Sequence, residues 1–343
     1  MSKIHILPVQ YGDSFVLECN KEENRGVVVI DGGPTGSGYV LQDIINDIGT
    51  PDLMVLTHYD DDHIGGLLQY FDSCRDENRI PAKEIWANCA GYVEVAAQKT
   101  TSAKQGVKLS VLLDEMAHTG ALRWRDDIEE GFICDFPFAR IEVISPTNDV
   151  RRLVIEEQKK EGRLMLKATR KNVTDLGTPL DKLASDKPKE PDLNKQNELS
   201  NASSISFILR CDDLSILMLG DSYPQNVESY LRTIGFSEDH PLIVDYVKVS
   251  HHGSRNNTSN ELLDIIKCNN FIFSTNGGNG LANHPDRIAI AHILCHSNRD
   301  RKETIHLFFN HKLEVIKRNG APFLNEGEWE DWNFVIHDNT TEL

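Results

Sequence analysis

The chain has 343 residues, a formal net charge of −17 at pH 7 and 39% hydrophobic residues. This composition is typical of a folded globular protein with one large domain, and it excludes collagen-like and intrinsically disordered chains. The acidic balance also argues against tight, nonspecific binding of long duplex nucleic acid, because phosphate neutralisation dominates that affinity.

Four predicted strands end in Asp or His close to Gly. These strands are the apolar runs 27–30, 53–56, 214–219 and 243–249, and the residues that follow them include Asp31, His58, Asp221 and His251. Polar turns are common between strands, and any one of these could be a solvated surface turn. Four such turns with metal-ligand side chains favour a shared site, since open sheets place their chemistry at the carboxyl ends of strands.

The densest of these turns is the stretch 57–67, Thr-His-Tyr-Asp-Asp-Asp-His-Ile-Gly-Gly-Leu. Its histidines and carboxylates have metal-ligand spacing, and they can converge only if the preceding strand has ended. The glycines and the apolar residues after them predict a helix that begins just past His63.

These passages resemble the metallo-β-lactamase superfamily of metal-dependent hydrolases, and within it the soluble hydrolase domain of the competence protein ComEC. The motifs that carry the resemblance are Val9-Gln10-Tyr11-Gly12-Asp13-Ser14, the loop from His58 to Gly66, Leu219-Gly220-Asp221, His251-His252-Gly253-Ser254, and Asn276 to Asn279 followed by His284-Pro285. They occur in the expected order from about residue 4 to 290.

The resemblance implies an α/β fold, the four-layer αββα sandwich, as a single domain over residues 1–343. Two inserted segments are expected at about 72–140 and 151–200. C-terminal strands at about 303–338 are expected to complete the sandwich. The residues themselves predict a helix over 287–295, followed by apolar strand runs at 305–309 and 313–316.

The resemblance also implies the site. The expected metal ligands are His58, Asp60, Asp62, His63, Asp221 and His251, and the expected catalytic residues are Asp62, His252 and His284. Asp31 is expected to support a ligand without binding metal itself.

Two positions depart from the superfamily pattern. Asp60 stands where most members have a histidine, and near Asn201 the usual third-motif histidine is missing. Asn201 is a possible replacement ligand through its amide oxygen, so the sequence leaves open whether one or two metals bind.

The choice between His251 and His252 also stays open. If Val247 and Val249 face the core, strand alternation places His251 on their side and His252 on the side of Lys248. We assign His251 to the metal and His252 to the substrate or to a supporting contact. His284 has an alternative interpretation as a loop residue held in place before Pro285.

Three carboxylates and three histidines suit two divalent cations, Zn²⁺ or Mn²⁺, with Mg²⁺ also compatible. Two metals about 3.5–4 Å apart can clamp the attacking and leaving oxygens of a displacement and can activate a water at neutral pH. Asp221 is the expected bridge, because one carboxylate can offer an oxygen to each cation.

The segment 151–171 has eight basic residues against three glutamates, a reversal of sign on an acidic chain. It predicts a phosphate-binding surface with Arg151, Arg152, Lys159 and Lys160 as substrate contacts. The alternative is a helix whose charges simply face water. Residues 175–200 are polar and aperiodic, which predicts an excursion that emerges near the metal centre.

The sequence therefore predicts a metal-dependent hydrolase, a phosphodiesterase or nuclease acting on short single-stranded nucleic acid or a cyclic or linear nucleotide. The alternatives are a hydrolase of lactones, thioesters or carboxyl esters, and a catalytically weak regulatory subunit. Seven cysteines without a Cys-x-x-Cys pair, no run of about 20 apolar residues and no apolar signal core favour a cytoplasmic protein without a membrane partner.

Overall fold

A computed structural model of the protein describes residues 1–89, 109–116, 122–159, 175–278, 283–320 and 322–343. Within these residues, two large β-sheets face one another and helices cover their outer faces. The predicted α/β fold class is confirmed.

The first sheet has the strand order β1-β2-β3-β4-β5-β6 among the described residues. Its first strands pair antiparallel, and β3 to β6 run parallel. The strands are β1 (Lys3–Ile6), β2 (Phe15–Lys21), β3 (Asn24–Ile30), β4 (Leu53–Val55), β5 (Glu84–Trp86) and β6 (Arg123–Arg125). The central strand β4 is short, apolar and fully buried, as expected for a parallel strand that is covered on both faces.

The second sheet begins with antiparallel strands and continues with parallel ones. In chain order its strands are β7 (Ile133–Phe136), β8 (Ala139–Ser145), β9 (Ser206–Arg210), β10 (Ser215–Met218), β12 (Tyr246–Lys248), β14 (Asn270–Phe273), β15 (Ile305–Phe309) and β16 (Phe334–His337). A small separate sheet pairs β11 (Leu242–Ile243) with β13 (Ile266–Lys267). β10 and β12 end at the same edge, so the residues after them become neighbours.

The helices form the two outer layers. They are α1 (Gly38–Ile48), α2 (Asp61–Asp76), α3 (residues 109–116), α4 (Asn148–Lys159), α5 (Leu180–Leu183), α6 (Gln196–Ala202), α7 (Pro224–Thr233), α8 (Asn260–Leu263), α9 (Arg287–Cys295), α10 (Leu313–Asn319) and α11 (Glu328–Asp331). The first sheet is covered by α1, α2 and α3, and the second by α5, α7, α8 and α9.

The core between the two sheets contains fully buried side chains from both, including Phe15, Trp86 and Phe207. Each such side chain contributes about 1.5–3 kcal/mol through its removal from water. This inner layer fixes the two sheets against each other, and it thereby fixes the distance between the strand ends that carry the polar residues. Within the described residues, no helix is both long and apolar enough to cross a membrane.

Two local predictions differ from the structure. The helix expected to begin just past His63 starts earlier, at Asp61, with Asp60 as its N-cap residue. The apolar run 313–316, expected as a strand, lies in α10, because Leu313 and Ile316 have the three-residue spacing of one helical face. The described part of the segment 72–140 contributes β5 to β7 and the start of β8 to the two sheets.

Candidate metal centre

The four predicted strand ends meet at one edge of the sandwich. Asp31 follows β3, His58 follows β4, Asp221 follows β10, and His251 and His252 follow β12. Asp31, His251 and His252 have positive φ angles of 57°, 48° and 56°. Such conformations are uncommon outside glycine and cost of order 1–3 kcal/mol each, and they recur at functional sites.

α2 approaches this edge closely because of its two glycines. A Cβ at Gly66 would lie 1.9 Å from the carbonyl oxygen of Gly32, and one at Gly65 would lie 2.1 Å from the Thr35 nitrogen. Any side chain at either position would therefore push the helix away from the loop after β3. The glycines bring His63, in the first turn of α2, next to Asp31.

Asp31 orients His63. Its Oδ2 lies 2.8 Å from His63 Nδ1, and its two oxygens also accept hydrogen bonds from the Thr57 nitrogen at 2.8 Å and the Thr57 hydroxyl at 2.7 Å. Because the carboxylate accepts a hydrogen bond from Nδ1–H, the Nε2 atom of His63 is left free to bind a cation.

The paired histidines are oriented in the same way. His252 Nδ1 lies 2.8 Å from the Ser274 carbonyl oxygen, which can only accept, so Nδ1 is the donor. His251 Nδ1 lies 3.1 Å from Asn257 Oδ1, whose amide nitrogen donates to the Asp221 carbonyl at 3.0 Å. The Nε2 atoms of both histidines are therefore free of protons in the neutral form and are available as ligands.

Asp221 lies at the centre of the histidines. Its Oδ1 is 3.4 Å from His63 Nε2, while its Oδ2 is 3.5 Å from His251 Nε2 and 3.8 Å from His58 Nε2. Each carboxylate oxygen thus faces a different set of imidazole nitrogens, which is the geometry required of a ligand shared by two cations.

The other residues of the site form two groups, and each group contains one further acidic residue and lies on the side of one Asp221 oxygen. The Asp62 group consists of Asp62, His63 and His252, with His252 Nε2 3.3 Å from Asp62 Oδ2. The Asp60 group consists of Asp60, His58 and His251, with His58 Nε2 3.7 Å from Asp60 Oδ2.

Asp60 is held by α6. The Ser200 hydroxyl donates to Asp60 Oδ1 at 2.9 Å. In the orientation that satisfies both of its amide atoms, Asn201 donates to Asp60 Oδ2 at 3.0 Å and to the Asn197 carbonyl at 3.2 Å. The structure therefore places Asn201, the possible third-motif ligand, where it supports Asp60.

His251 occupies the side of the centre where the third-motif histidine is missing. It lies beside Asn201, and its Nε2 faces the same oxygen of Asp221 as His58 Nε2 does. Both paired histidines therefore face the centre, one in each group. The sequence analysis had assigned only His251 to the metal and had given His252 a contact with the substrate or a supporting contact.

The charges of the site favour a cation. Burial opposes protonation of His252, but Asp13 and Asp62 raise its pKa to about 10. Burial likewise opposes protonation of His63, while Asp221 and Asp31 raise its pKa well above the usual range. The carboxylates thus require positive charge, which protons provide in the absence of a metal.

The residues fit metal binding by a second criterion. Four buried atoms, His58 Nε2, His63 Nε2, His252 Nε2 and Asp221 Oδ1, make no hydrogen bond. Leaving such atoms buried and unsatisfied costs about 1–3 kcal/mol each, so buried polar atoms normally have partners. His58 Nε2 and His63 Nε2 face Asp221, and His252 Nε2 faces Asp62 beside His63, so divalent cations placed among these residues would satisfy all four atoms.

His284 lies beside the paired histidines. Its side chain is 5% exposed, and its ring centre is 5.3 Å from that of His251. Its Nδ1 is 3.4 Å from Asp286 Oδ2, and neither ring nitrogen makes a hydrogen bond with good geometry. The structure therefore brings His284 to the site, as predicted, and leaves its ring able to contact a bound molecule.

Residues 151–159 of the basic segment lie in α4, which packs against α6 through a small apolar cluster that includes Val154 and Leu199. Arg151 is half-buried and donates to Glu129 Oε2 at 2.7 Å, whereas Arg152 is exposed. The side chain of Lys159 and the whole of Lys160 lie outside the described residues.

Sequence analysis missed Asn257 and Ser274, the partners of the paired histidines. A signal for Ser274 was present, because it directly follows β14, a strand beside β12 in the same sheet. The strand-end rule that identified Asp31 and Asp221 would have included it. Asn257 lies in a loop, where no periodicity indicates its direction.

The orientation of His63 by Asp31 leads to a testable expectation. Asp31→Asn keeps the size of the side chain and suits the positive φ angle, but it removes the charged acceptor for His63 Nδ1. We expect the affinity for Zn²⁺ to fall about 10- to 100-fold, as is typical when the partner of a ligating histidine is lost. Competition with a chromogenic chelator measures this, and an unchanged affinity would contradict the assigned role of Asp31.

Residues 7–102 match the family model described as "Metallo-beta-lactamase superfamily". No curated protein matches the chain significantly.

Solved structures with similar folds share little sequence with this chain. The metallo-beta-lactamase fold protein YhfI from Bacillus subtilis is 9% identical over 100% of this chain and 98% of its own, with a TM-score of 0.44. A diphosphatase of the PhnP family is 10% identical over 100% and 97%, with a TM-score of 0.41. A long-form RNase Z from yeast is 11% identical over 80% and 37%, with a TM-score of 0.39.

Proposed function

We propose that this chain, whose residues 7–102 match the metallo-β-lactamase superfamily model, is a metal-dependent hydrolase that cleaves a phosphodiester. One observation carries the proposal. Three histidines, His58, His63 and His251, turn an Nε2 atom toward the two oxygens of a single buried carboxylate, Asp221.

The proposed centre holds two divalent cations. The ligands are the Asp60 group and the Asp62 group, with Asp221 shared between them. Bound divalent cations supply Lewis acidity and make a nucleophilic water available at neutral pH. Three carboxylates give the centre an oxygen-rich character, which suits Mn²⁺ or Mg²⁺, while the imidazoles suit Zn²⁺.

The chain's own residues supply the remaining functions. Asp62 is held by its backbone carbonyl, which accepts from the Asp13 nitrogen at 3.0 Å, and its carboxylate faces His252. His284 lies beside His251, where it can hold or protonate the departing oxygen of a substrate. Ser200 and Asn201 keep Asp60 in place when substrate enters.

The phosphodiester assignment is supported by position and charge. α4 carries Arg151, Arg152 and Lys159 of the basic segment and packs on α6, the helix that holds Asp60. The motif resemblance to the hydrolase domain of ComEC supports the same class. The net charge of −17 favours a short single strand or a cyclic or linear nucleotide over a long duplex.

Hydrolysis assays on two substrates test this proposal. Metal-stripped protein is supplied with Mn²⁺, Mg²⁺ or Zn²⁺ and is assayed with a chromogenic phosphodiester and, in parallel, a chromogenic carboxyl ester. We expect cation-dependent cleavage of the phosphodiester that is lost in Asp62→Asn. Cleavage of the carboxyl ester alone would replace the proposal by the lactone and thioester class, and cleavage of neither would favour a regulatory role.

The role of the basic segment is tested by reversing three of its charges. We expect Arg152→Glu, Lys159→Glu and Lys160→Glu together to raise KM for a phosphodiester about tenfold or more with little change in kcat, because they repel the substrate while every proposed metal ligand is kept. Arg151 is left unchanged, since a glutamate there would face Glu129 and weaken the packing of α4.

A matched control reverses three exposed charges at the other end of the strands. Arg25 lies early in β3, Lys267 precedes β14 and Lys302 precedes β15. The triple variant with Glu at these positions has the same net charge as the variant of the basic segment, and we expect it to keep the wild-type KM. An equal rise of KM in both variants would show that only the overall charge matters. No rise in either variant would show that the basic side chains face water and do not contact the substrate.

A further inference from the structure

Lys248 is an unusual residue for the interior of a sheet. It lies in β12 with 0% exposure, between apolar neighbours. A buried ammonium is costly unless it is paired and hydrogen-bonded. Its Nζ pairs with Asp13 Oδ2 and donates to the Gly220 carbonyl oxygen at 3.0 Å. Both partners are directly connected to the proposed metal centre.

Asp13 connects Lys248 to the Asp62 group. It is 1% exposed, and its Oδ1 lies 3.2 Å from His252 Nδ1. Its backbone nitrogen donates to the Asp62 carbonyl at 3.0 Å. Asp13 therefore contacts all three members of the group. Its carboxylate lies beside His252 and, at 4.0 Å, His63 Nδ1, and its backbone binds Asp62.

Gly12, the residue before Asp13, is packed against the same part of the site. Ser274, whose carbonyl accepts from His252 Nδ1, donates its own hydroxyl to the Gly12 carbonyl at 2.7 Å. A Cβ at Gly12 would lie 2.1 Å from the Asp62 carbonyl oxygen, so only glycine permits this approach. The turn Gly12-Asp13 is thus packed directly beneath Asp62 and His252.

Gly220 connects Lys248 to the shared ligand. It has a φ angle of 50° and immediately precedes Asp221. Because Lys248 binds its carbonyl, the ammonium fixes the peptide from which the Asp221 side chain projects. The buried ammonium of Lys248 thus contacts both Asp13, which supports His252, and Gly220, which supports Asp221.

We propose that the Asp13–Lys248 pair is a positioning device for the metal centre, which holds His252 and Asp221 in the geometry that binds cations. This inference rests on the proposed metal centre but not on the phosphodiester substrate. The pair touches no substrate and supplies no ligand. Its effect is therefore on the affinity for metal, which is measurable without turnover.

The competing explanation is that the pair only stabilises the fold. Losing one partner of a buried ion pair is destabilising, because it leaves the other charge without compensation. Removing both charges relieves that penalty. The double variant Asp13→Asn with Lys248→Met therefore separates the two explanations, since it restores the charge balance without restoring the carboxylate beside His252.

The experiment measures two quantities for the full chain: the dissociation constant for Zn²⁺ by chelator competition, and the thermal unfolding midpoint of the metal-free protein. We expect each single variant to unfold at lower temperature and to bind Zn²⁺ about 10- to 100-fold more weakly. We expect the double variant to regain most of its unfolding midpoint while its affinity for Zn²⁺ stays low. Wild-type affinity in the stable double variant would overturn the proposal.

A second variant and a control complete the test. Asp13→Glu keeps the charges but displaces the carboxylate from His252, so we expect weaker binding of Zn²⁺ and an altered visible spectrum with Co²⁺ as probe; an unchanged affinity and spectrum would also overturn the proposal. Arg287→Met with Glu328→Gln removes another buried pair, and we expect it to leave the Zn²⁺ affinity unchanged. Failure of the wild-type chain to bind Zn²⁺, Mn²⁺ or Mg²⁺ would instead refute the metal centre itself.

Discussion

Asp221→Asn should abolish turnover and empty the centre of metal. The substitution keeps the size of the side chain but removes the charge from the one carboxylate that faces both groups of ligands. Loss of a single preorganised group costs about 10²- to 10³-fold in rate, and Asp221 serves both groups, so we expect a decrease in kcat/KM of about 10³-fold or more. Steady-state kinetics with the chromogenic phosphodiester measures it.

The control for this variant is Asp213→Asn. Asp213 is exposed and lies before β10, at the opposite end of the strand from Asp221, and the chemical change is identical. We expect wild-type activity and metal content from it. An active Asp221→Asn variant with bound metal would contradict the assignment of Asp221 as the shared ligand.

Replacing either paired histidine should cost activity, and each should remove a different cation. His252→Ala deletes the imidazole that faces Asp62, whereas His251→Ala deletes the one that faces Asp221 beside His58. We expect both variants to lose about 10²- to 10³-fold in kcat and to retain about one cation per chain. Elemental analysis of the dialysed proteins, together with kinetics, measures the result.

The exposed His240 provides the matched control, since His240→Ala should change neither quantity. If His252→Ala kept full activity and both cations, only His251 would be a ligand, which is the original sequence interpretation. If His251→Ala kept full activity and both cations, His251 would not be a ligand. No imidazole would then replace the missing third-motif histidine in the Asp60 group.

The location of the site could be predicted because strand ends are simple to recognise. Asp31, His58 and Asp221 each follow an apolar run, and the carboxyl ends of strands in one sandwich meet at a common edge. The predicted helix over residues 287–295 and the predicted strand over residues 305–309 coincide with α9 and β15, since their apolar runs are long enough to show a period.

The roles of the paired histidines could not be derived in the same way. Strand alternation holds only while the backbone is extended, and both histidines have positive φ angles. Alternation did place His252 on the side of Lys248, and the two residues do share Asp13. What the pattern could not tell is that both sides of this turn face the metal centre.

Asp13 illustrates a different limit. In the sequence it is indistinguishable from a turn residue beside Gly12, because its function depends on Lys248, which lies far along the chain and in the other sheet. Long-range pairs of this kind leave no local period. The one available signal was a lysine inside a short apolar strand, where a charge requires a buried partner.

The number of cations bound per chain is the most direct test of the central claim. Wild-type protein is saturated with Zn²⁺ or Mn²⁺, dialysed, and analysed by native mass spectrometry and elemental analysis beside Asp221→Asn. The account predicts about two cations for the wild-type chain and none retained by the variant. A wild-type chain that binds no cation, or a variant that binds as many as the wild type, would contradict it.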